Sequence, residues 1–320
     1  MRSPFGWAAV DWVVAGYATF VAALVLVRAE HVPLAPYVAI AHATLVVAMA
    51  LLPPRGAAWE APRASDPPGR RRLRTVARFL RYTYPALLLT PFFEEVALTV
   101  NAATPDSPYW FETHLIAADR WLFGATPAAL LSGAGNSAVD ELMHGFYLSY
   151  YVLITAGIVV AWRGPSRPAP KAPLAPEVRR TPGRGFQTAF TVMMLGFFLS
   201  FVCYPFLPAR GPWEHPALVE GLRPFGGWVF TRAVEALIAG AAVSGGCFPS
   251  AHVSGTWALT FGLFPFNRRA ALGFGVMAAG LSIACVYTRY HHGVDVMAGL
   301  AVAVVAALLG RRLARAGLAG

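Results

Sequence analysis

The feature that most constrains this chain is the recurrence of long apolar runs. A bilayer core about 30 Å thick needs about 20 apolar residues of helix to cross it. Eight runs approach that length: 8–28, 34–52, 79–100, 144–162, 186–205, 251–266, 270–288 and 294–310. The expected fold is an all-α integral membrane protein of about eight transmembrane helices, the form in which every backbone polar group is satisfied within its own segment. Composition agrees, because 57% of the 320 residues are hydrophobic and only 13% are charged, well outside the balance of a soluble domain. The first run is too long and continuous for a cleaved signal peptide and reads as a retained helix.

The net charge of +10 is arranged as a topology signal. If the runs alternate, 20 of the 26 Lys and Arg fall on one side: Arg2, the linker from Arg55 to Arg81, the stretch from Arg163 to Arg184, Arg268 and Arg269, and Arg311, Arg312 and Arg315. The positive-inside rule then places both termini and the basic linkers in the cytoplasm, in a multi-pass protein of a bacterial inner membrane. Anionic lipid is the expected contact of these charges. Nucleic acid is not, since the linkers carry Pro, Ala and Gly where base-stacking aromatics would be needed. The linkers 53–78 and 163–185 read as flexible loops. Acidic residues, among them Asp106, Glu112, Asp119, Asp140, Glu141, Glu214 and Glu220, gather in the outward loops, which have sequence enough for a lid or groove.

Four polar clusters fall on that outer side: Asp119 with the LFGATP after it, Arg210-Gly211-Pro212, Pro249-Ser250-Ala251-His252, and the segment TRYHHGVD from Thr288 to Asp295. His291 and Asp295 are four apart, the spacing that puts two side chains on one helical face. A carboxylate on one imidazole nitrogen fixes the tautomer and raises the nucleophilicity of the other. With a second His and two Arg, the set matches the needs of phosphoryl transfer through a phospho-histidine: a nucleophile, an acid for the leaving oxygen, and guanidiniums for the equatorial oxygens. No acidic array for Mg²⁺ and no Gly-rich phosphate loop accompanies it, so the expectation is a reaction without metal or other cofactor.

These residues resemble the type 2 phosphatidic acid phosphatase superfamily, with its P-S-G-H and S-R-x5-H-x3-D motifs. Here the second motif has Ala251 in place of Gly. The third has Thr288 for Ser, and one residue rather than five separates Arg289 from His291; of the basic first motif only Arg210-Gly-Pro stands near its place. The compressed R-x-H-x3-D, the stretch from Asp119 to Pro127 and the aromatic HGFYLSYY from His144 to Tyr151 are similar to the inositol phosphorylceramide synthase group, in the sphingolipid phosphotransferase branch. The resemblance covers residues 109–305. It implies a six-helix catalytic core within 79–310, after two N-terminal helices and a linker (1–78) and before a basic tail (311–320). It implies His291 as nucleophile, Asp295 as its orienter and His252 as acid, with Arg289, Ser250 and Arg210 on the phosphate. The implied substrates are a phospholipid or lipid phosphate, with ceramide or diacylglycerol as a lipid alcohol acceptor, at the extracytoplasmic face of the membrane. A lipid phosphate phosphatase, acting on phosphatidic acid or an isoprenyl phosphate, is one alternative, and a phosphatase of a soluble substrate another. A lipid-binding or transport protein that kept the scaffold is the alternative from another class.

Other residues stay open. His292 is three rather than four from Asp295 and reads as structural, with a headgroup contact as the other role. Asp119 either binds a headgroup or caps the short helix after it. Glu94 and Glu95, within the third run, either meet a polyol headgroup or pair with an Arg, the second being expected. The aromatic stripe of His144, Tyr147, Tyr150 and Tyr151 is expected to serve packing, and Trp110 and Trp121 an interfacial belt. Cys203 and Cys247 are candidates for oxidation, with free thiols the expected state.

Overall fold

The computed structural model describes residues 6–52, 65–103, 110–164, 183–241 and 243–318. Arg2, most of the two basic linkers (53–64 and 165–182) and Asp106 lie outside the described residues. The described residues form α1 (Ala9–Val27), α2 (Ala35–Leu51), α3 (Pro68–Leu87), α4 (Leu89–Glu94), α5 (Val96–Ala103), α6 (Glu112–Phe123) and α7 (Pro127–Ser132). There follow α8 (Ser137–Arg163), α9 (Arg184–Cys203), α10 (Pro216–Val219), α11 (Val229–Ala241), α12 (Ala251–Leu263), α13 (Arg268–Tyr287) and α14 (Gly293–Leu318). No strand occurs among them, so the protein is all-α as expected.

Five helices are long and apolar enough to cross a bilayer: α1, α8, α9, α13 and the Gly293–Ala316 part of α14. Of the other three expected spans, the second forms the apolar helix α2 of 17 residues, and the third and sixth take other forms. The run 79–100 is divided between α3, α4 and α5, with Pro85 and Pro91 each withdrawing a backbone donor near a break. The run that begins at Ala251 forms a helix of 13 residues, about 20 Å long, because the chain turns at Phe264 and Pro265. Residues 68–78, expected as loop, are the first half of α3. Leu73, Val76 and Leu80 make an exposed apolar stripe on this arginine-rich helix, a pattern that suits the lipid interface better than open water.

The bundle is organised around α9. Its apolar window is 78% buried, against 33–44% for the other four long helices, and Phe190, Met193, Met194 and Phe197 on it are fully enclosed. Small residues let α12 and α14 approach closely. A Cβ on Gly196 would come within 2.7 Å of the Ser254 carbonyl oxygen, and one on Gly299 within 2.7 Å of the Ser250 carbonyl oxygen. Lipid gives helices no hydrophobic reason to associate, so such backbone approach and interhelical hydrogen bonds carry the packing. Ser254 supplies one of these bonds, its hydroxyl donating to the Gly196 carbonyl at 2.9 Å.

The N-terminal pair docks on the same helix, with Tyr17 stacked on Phe198 at 4.8 Å between ring centroids. Here Glu95 meets Tyr17 and His42 rather than the Arg expected from sequence. The Tyr17 hydroxyl donates to its Oε1 at 3.1 Å, and His42 Nε2 lies 3.2 Å from its Oε2. Those partners sit 78 and 53 residues away in the chain, a relation no local pattern reveals.

The close approach of α9 to α12 can be tested directly. Gly196→Val is expected to destabilise the bundle by about 1–3 kcal/mol through overpacking, read as a lower midpoint of thermal unfolding in detergent. An unchanged midpoint would contradict it.

Candidate active site

The residues of the second and third motifs are placed by helix ends. Ser250 is the N-cap of α12, its hydroxyl accepting the Val253 N–H at 3.4 Å. His252 therefore sits in the first turn, where backbone N–H groups have no intrahelical acceptor. At the end of α13, Arg289 adopts a left-handed conformation with φ of 68°, uncommon for a residue with a side chain. It reverses the chain so that the His291 N–H bonds the Cys285 carbonyl at 3.0 Å. The short spacing between Arg289 and His291 thus forms a tight cap, and α14 begins two residues later.

His291 faces a carboxylate on one side and the second motif on the other. Its Nδ1 is 2.6 Å from Asp295 Oδ2. An ionised carboxylate only accepts, so Nδ1 carries the proton and Nε2 bears the lone pair. That Nε2 lies 3.3 Å from the Ser250 hydroxyl and 3.3 Å from His252 Nδ1. Asp295 is wholly buried, and its other oxygen, Oδ1, has no hydrogen-bond partner among the described residues. Cys247 completes the group, with Sγ 3.0 Å from Asp295 Oδ2 and 3.5 Å from His291 Nδ1. Burial first, and then the neighbouring Asp295 charge, push the Cys247 thiol well above its usual range, so the sulfur is an S–H donor. Cys203, Cys247 and Cys285 are all free.

His252, His291 and Cys247 line a cavity of about 350 Å³. Leu89, Phe93, Phe201, Leu237, Ile238 and Val243 supply its aliphatic and phenyl lining, and Tyr147, Tyr150, Tyr151, Trp213 and Tyr290 its tyrosine and tryptophan rings. The tyrosines expected to serve packing therefore face the site. Tyr147 and Tyr150 hold the His252 ring, with centroids 5.0 and 4.5 Å away. Their spacing on α8 shows one face of a helix, but not that this face meets α12. Glu94, expected to pair with an Arg, is exposed at the cavity wall, and the half-buried Glu214 also lines it, accepting the Gly211 N–H at 3.3 Å and the Ser244 hydroxyl. No Lys or Arg lines the cavity among the described residues.

The two arginines expected on the phosphate are engaged elsewhere. Arg289 lies over the Phe225 ring at 4.3 Å and donates to the Arg223 carbonyl at 2.6 Å. Arg210 donates from Nε and Nη2 to Glu112 Oε1, at 2.7 and 2.5 Å, and lies 4.6 Å over the Trp110 ring. His292 is buried outside the cavity, its Nε2 donating to the Arg210 carbonyl at 3.1 Å. Asp119 takes a third role beyond the two left open: it accepts the Gly293 and Val294 N–H groups at 3.0 and 2.8 Å, capping α14 rather than the short helix after it. All four polar clusters thus meet at one end of the bundle.

Asp119→Ala is expected to cost about 0.5–2 kcal/mol of stability by uncapping α14, with Asp119→Asn keeping most of it. Equal unfolding midpoints for the Ala variant and the parent would rule out the cap as a source of stability.

No curated protein and no solved structure matches the chain. A family model does, described as the PAP2 superfamily and matching residues 113–309, which span α6 to α14 and every residue of the His291 and His252 cluster. This integral membrane protein belongs to the PAP2 superfamily.

Proposed function

We propose that the protein is a lipid phosphotransferase of the inositol phosphorylceramide synthase-like kind, acting through a phospho-histidine at the extracytoplasmic face of the membrane. Superfamily membership already makes it a phosphatase- or phosphotransferase-type protein. The observation that carries the finer reading is His291: its Nδ1 is held by Asp295, and its Nε2 is presented to Ser250 and His252 at the edge of a cavity with an apolar lining.

In this reading Nε2 attacks the phosphorus of a phospholipid, and the bond from phosphorus to the lipid oxygen breaks. His252 gives that oxygen its proton. The neutral base so formed then takes a proton from the hydroxyl of a lipid alcohol, such as ceramide or diacylglycerol. That oxygen attacks the phospho-histidine and frees Nε2. Asp295 offsets the positive charge on the imidazole ring during both steps. Ser250 and the first-turn N–H groups of α12 meet the phosphate oxygens. Arg289 joins them by leaving Phe225, and Arg210 joins them through Nη1 while its Nε and Nη2 stay on Glu112.

Two observations favour a diester donor over a phosphomonoester such as phosphatidic acid. Glu94 and Glu214 line the cavity and, among the described residues, no Lys or Arg does until Arg289 and Arg210 reach in, so an entering dianionic group meets more repulsion than a monoanionic diester. The apolar lining also offers a lipid acceptor a place that water cannot use.

Purified protein given a labelled phospholipid with ceramide or diacylglycerol is expected to yield a new phospholipid by mass spectrometry. Free phosphate alone, with every acceptor tried, would sink the transferase reading in favour of the phosphatase. His291→Ala should abolish turnover and the acid-labile phospho-enzyme; retained turnover would remove His291 as nucleophile. Arg289→Ala should lower kcat/KM about 10²-fold, the usual loss for a donor to transition-state charge, and an unchanged value would leave Arg289 a purely structural residue.

A further inference from the structure

Cys247 has no place in the chemistry above, yet its sulfur lies against the ring of the proposed nucleophile and the carboxylate that orients it. We infer that Cys247 Sγ, His291 Nδ1 and a carboxylate oxygen of Asp295 form an inhibitory site for a thiophilic divalent cation of the Zn²⁺ and Cd²⁺ class. That such binding inhibits rests on the catalytic role proposed for His291; the binding itself does not.

The three ligand atoms all lie within 4.8 Å of one another, on side chains that are all buried. A tetrahedral Zn²⁺ with bonds of about 2.3 Å to sulfur and about 2.0 Å to nitrogen holds those two atoms about 3.5 Å apart, and Sγ and Nδ1 are 3.5 Å apart here. Sulfur with imidazole and a carboxylate is a donor set that such cations favour over Mg²⁺ or Ca²⁺. The cysteine is also fixed in place: its N–H bonds the Ala209 carbonyl at 3.2 Å, and the Ala209 N–H bonds the Gly245 carbonyl at 3.3 Å.

Asp295 supplies an independent sign. Its side chain is wholly buried and Oδ1 has no donor among the described residues, an arrangement that costs free energy unless a cation or a proton answers it. Access is through the substrate's own route, because Cys247 and His291 both line the cavity. Coordination displaces the protons of Sγ and Nδ1 to solvent.

Occupancy and catalysis exclude each other at Nδ1. Nδ1 and Oδ2 are 2.6 Å apart, whereas two ligands at about 2.0 Å from one tetrahedral ion stand about 3.3 Å apart. The ion must therefore break the hydrogen bond from His291 to Asp295 and take its place. It then draws electron density from the ring and leaves Nε2 a poorer nucleophile, so kcat falls.

The test uses the purified protein in detergent. Cd²⁺ is expected to produce thiolate charge-transfer absorption in the parent and in the Cys203→Ser/Cys285→Ser double variant, and none in Cys247→Ser. No absorption in the parent, or an equal signal in Cys247→Ser, overturns the site. Should Cys247→Ser fail to fold, protection of Cys247 in the parent from a small alkylating reagent by Cd²⁺, read by mass spectrometry, decides the same point. In the activity assay Zn²⁺ should inhibit the parent reversibly by chelator, and Cys247→Ser should need at least about tenfold more Zn²⁺, one of three ligands being lost. Equal sensitivity of the two overturns the inhibitory role. A Cd²⁺ signal in a protein with no activity on any lipid would strike the proposed function and leave the metal site standing.

Discussion

A carboxylate enclosed in a helical bundle must be answered by donors, and four of them hold the functional end of this protein together. Glu112, Asp119, Asp140 and Asp295 are each no more than 1% exposed. Glu112 holds Arg210, and Asp119 caps α14. Asp140 accepts from both terminal nitrogens of Arg223, from the Tyr287 hydroxyl and from the Gly226 N–H, at 2.6–2.9 Å. Asp295 takes His291 and Cys247. Three of the four join segments more than 80 residues apart, so breaking any one of those strands a buried charge and loosens a loop at once.

The reactive geometry follows from this bracing. Asp119 sets where α14 begins, and α14 carries Asp295 on its first turn. Asp140 holds the loop of Arg223, whose carbonyl in turn receives Arg289. Glu141, one residue on, accepts the N–H groups of Trp228, Val229, Phe230 and Thr231 and so fixes the start of α11, which supplies Leu237 and Ile238 to the cavity. The acidic residues at this end of the bundle are mostly scaffold, with Glu94 and Glu214 left at the cavity wall.

Much of this was legible in advance where the signal is local. The apolar runs give the helical membrane fold, and the four-residue step from His291 to Asp295 gives the pair, although His291 stands two residues before α14 and the turn at Arg289 carries it to Asp295. The Ser250 and His252 motif was equally plain at the start of an apolar run. What stayed hidden depends on partners remote in sequence. The role of Asp119 needed the start of α14, 174 residues away. The facing of Tyr147 and Tyr150 toward His252 needed the packing of α8 on α12, and Glu95 needed α1 and α2.

By itself, then, the sequence determined the all-α membrane class, the family motifs and the local dyad, all set by periodicity and short spacing. Only the tertiary structure decided that the third apolar run breaks, that the sixth is a short enclosed helix, and that both arginines rest on other partners. It also decided that Cys247 lies against Asp295. The physical reason is common to these cases: a buried polar group takes whichever partner the folded bundle brings within about 3 Å, and that choice is made between segments, not along them.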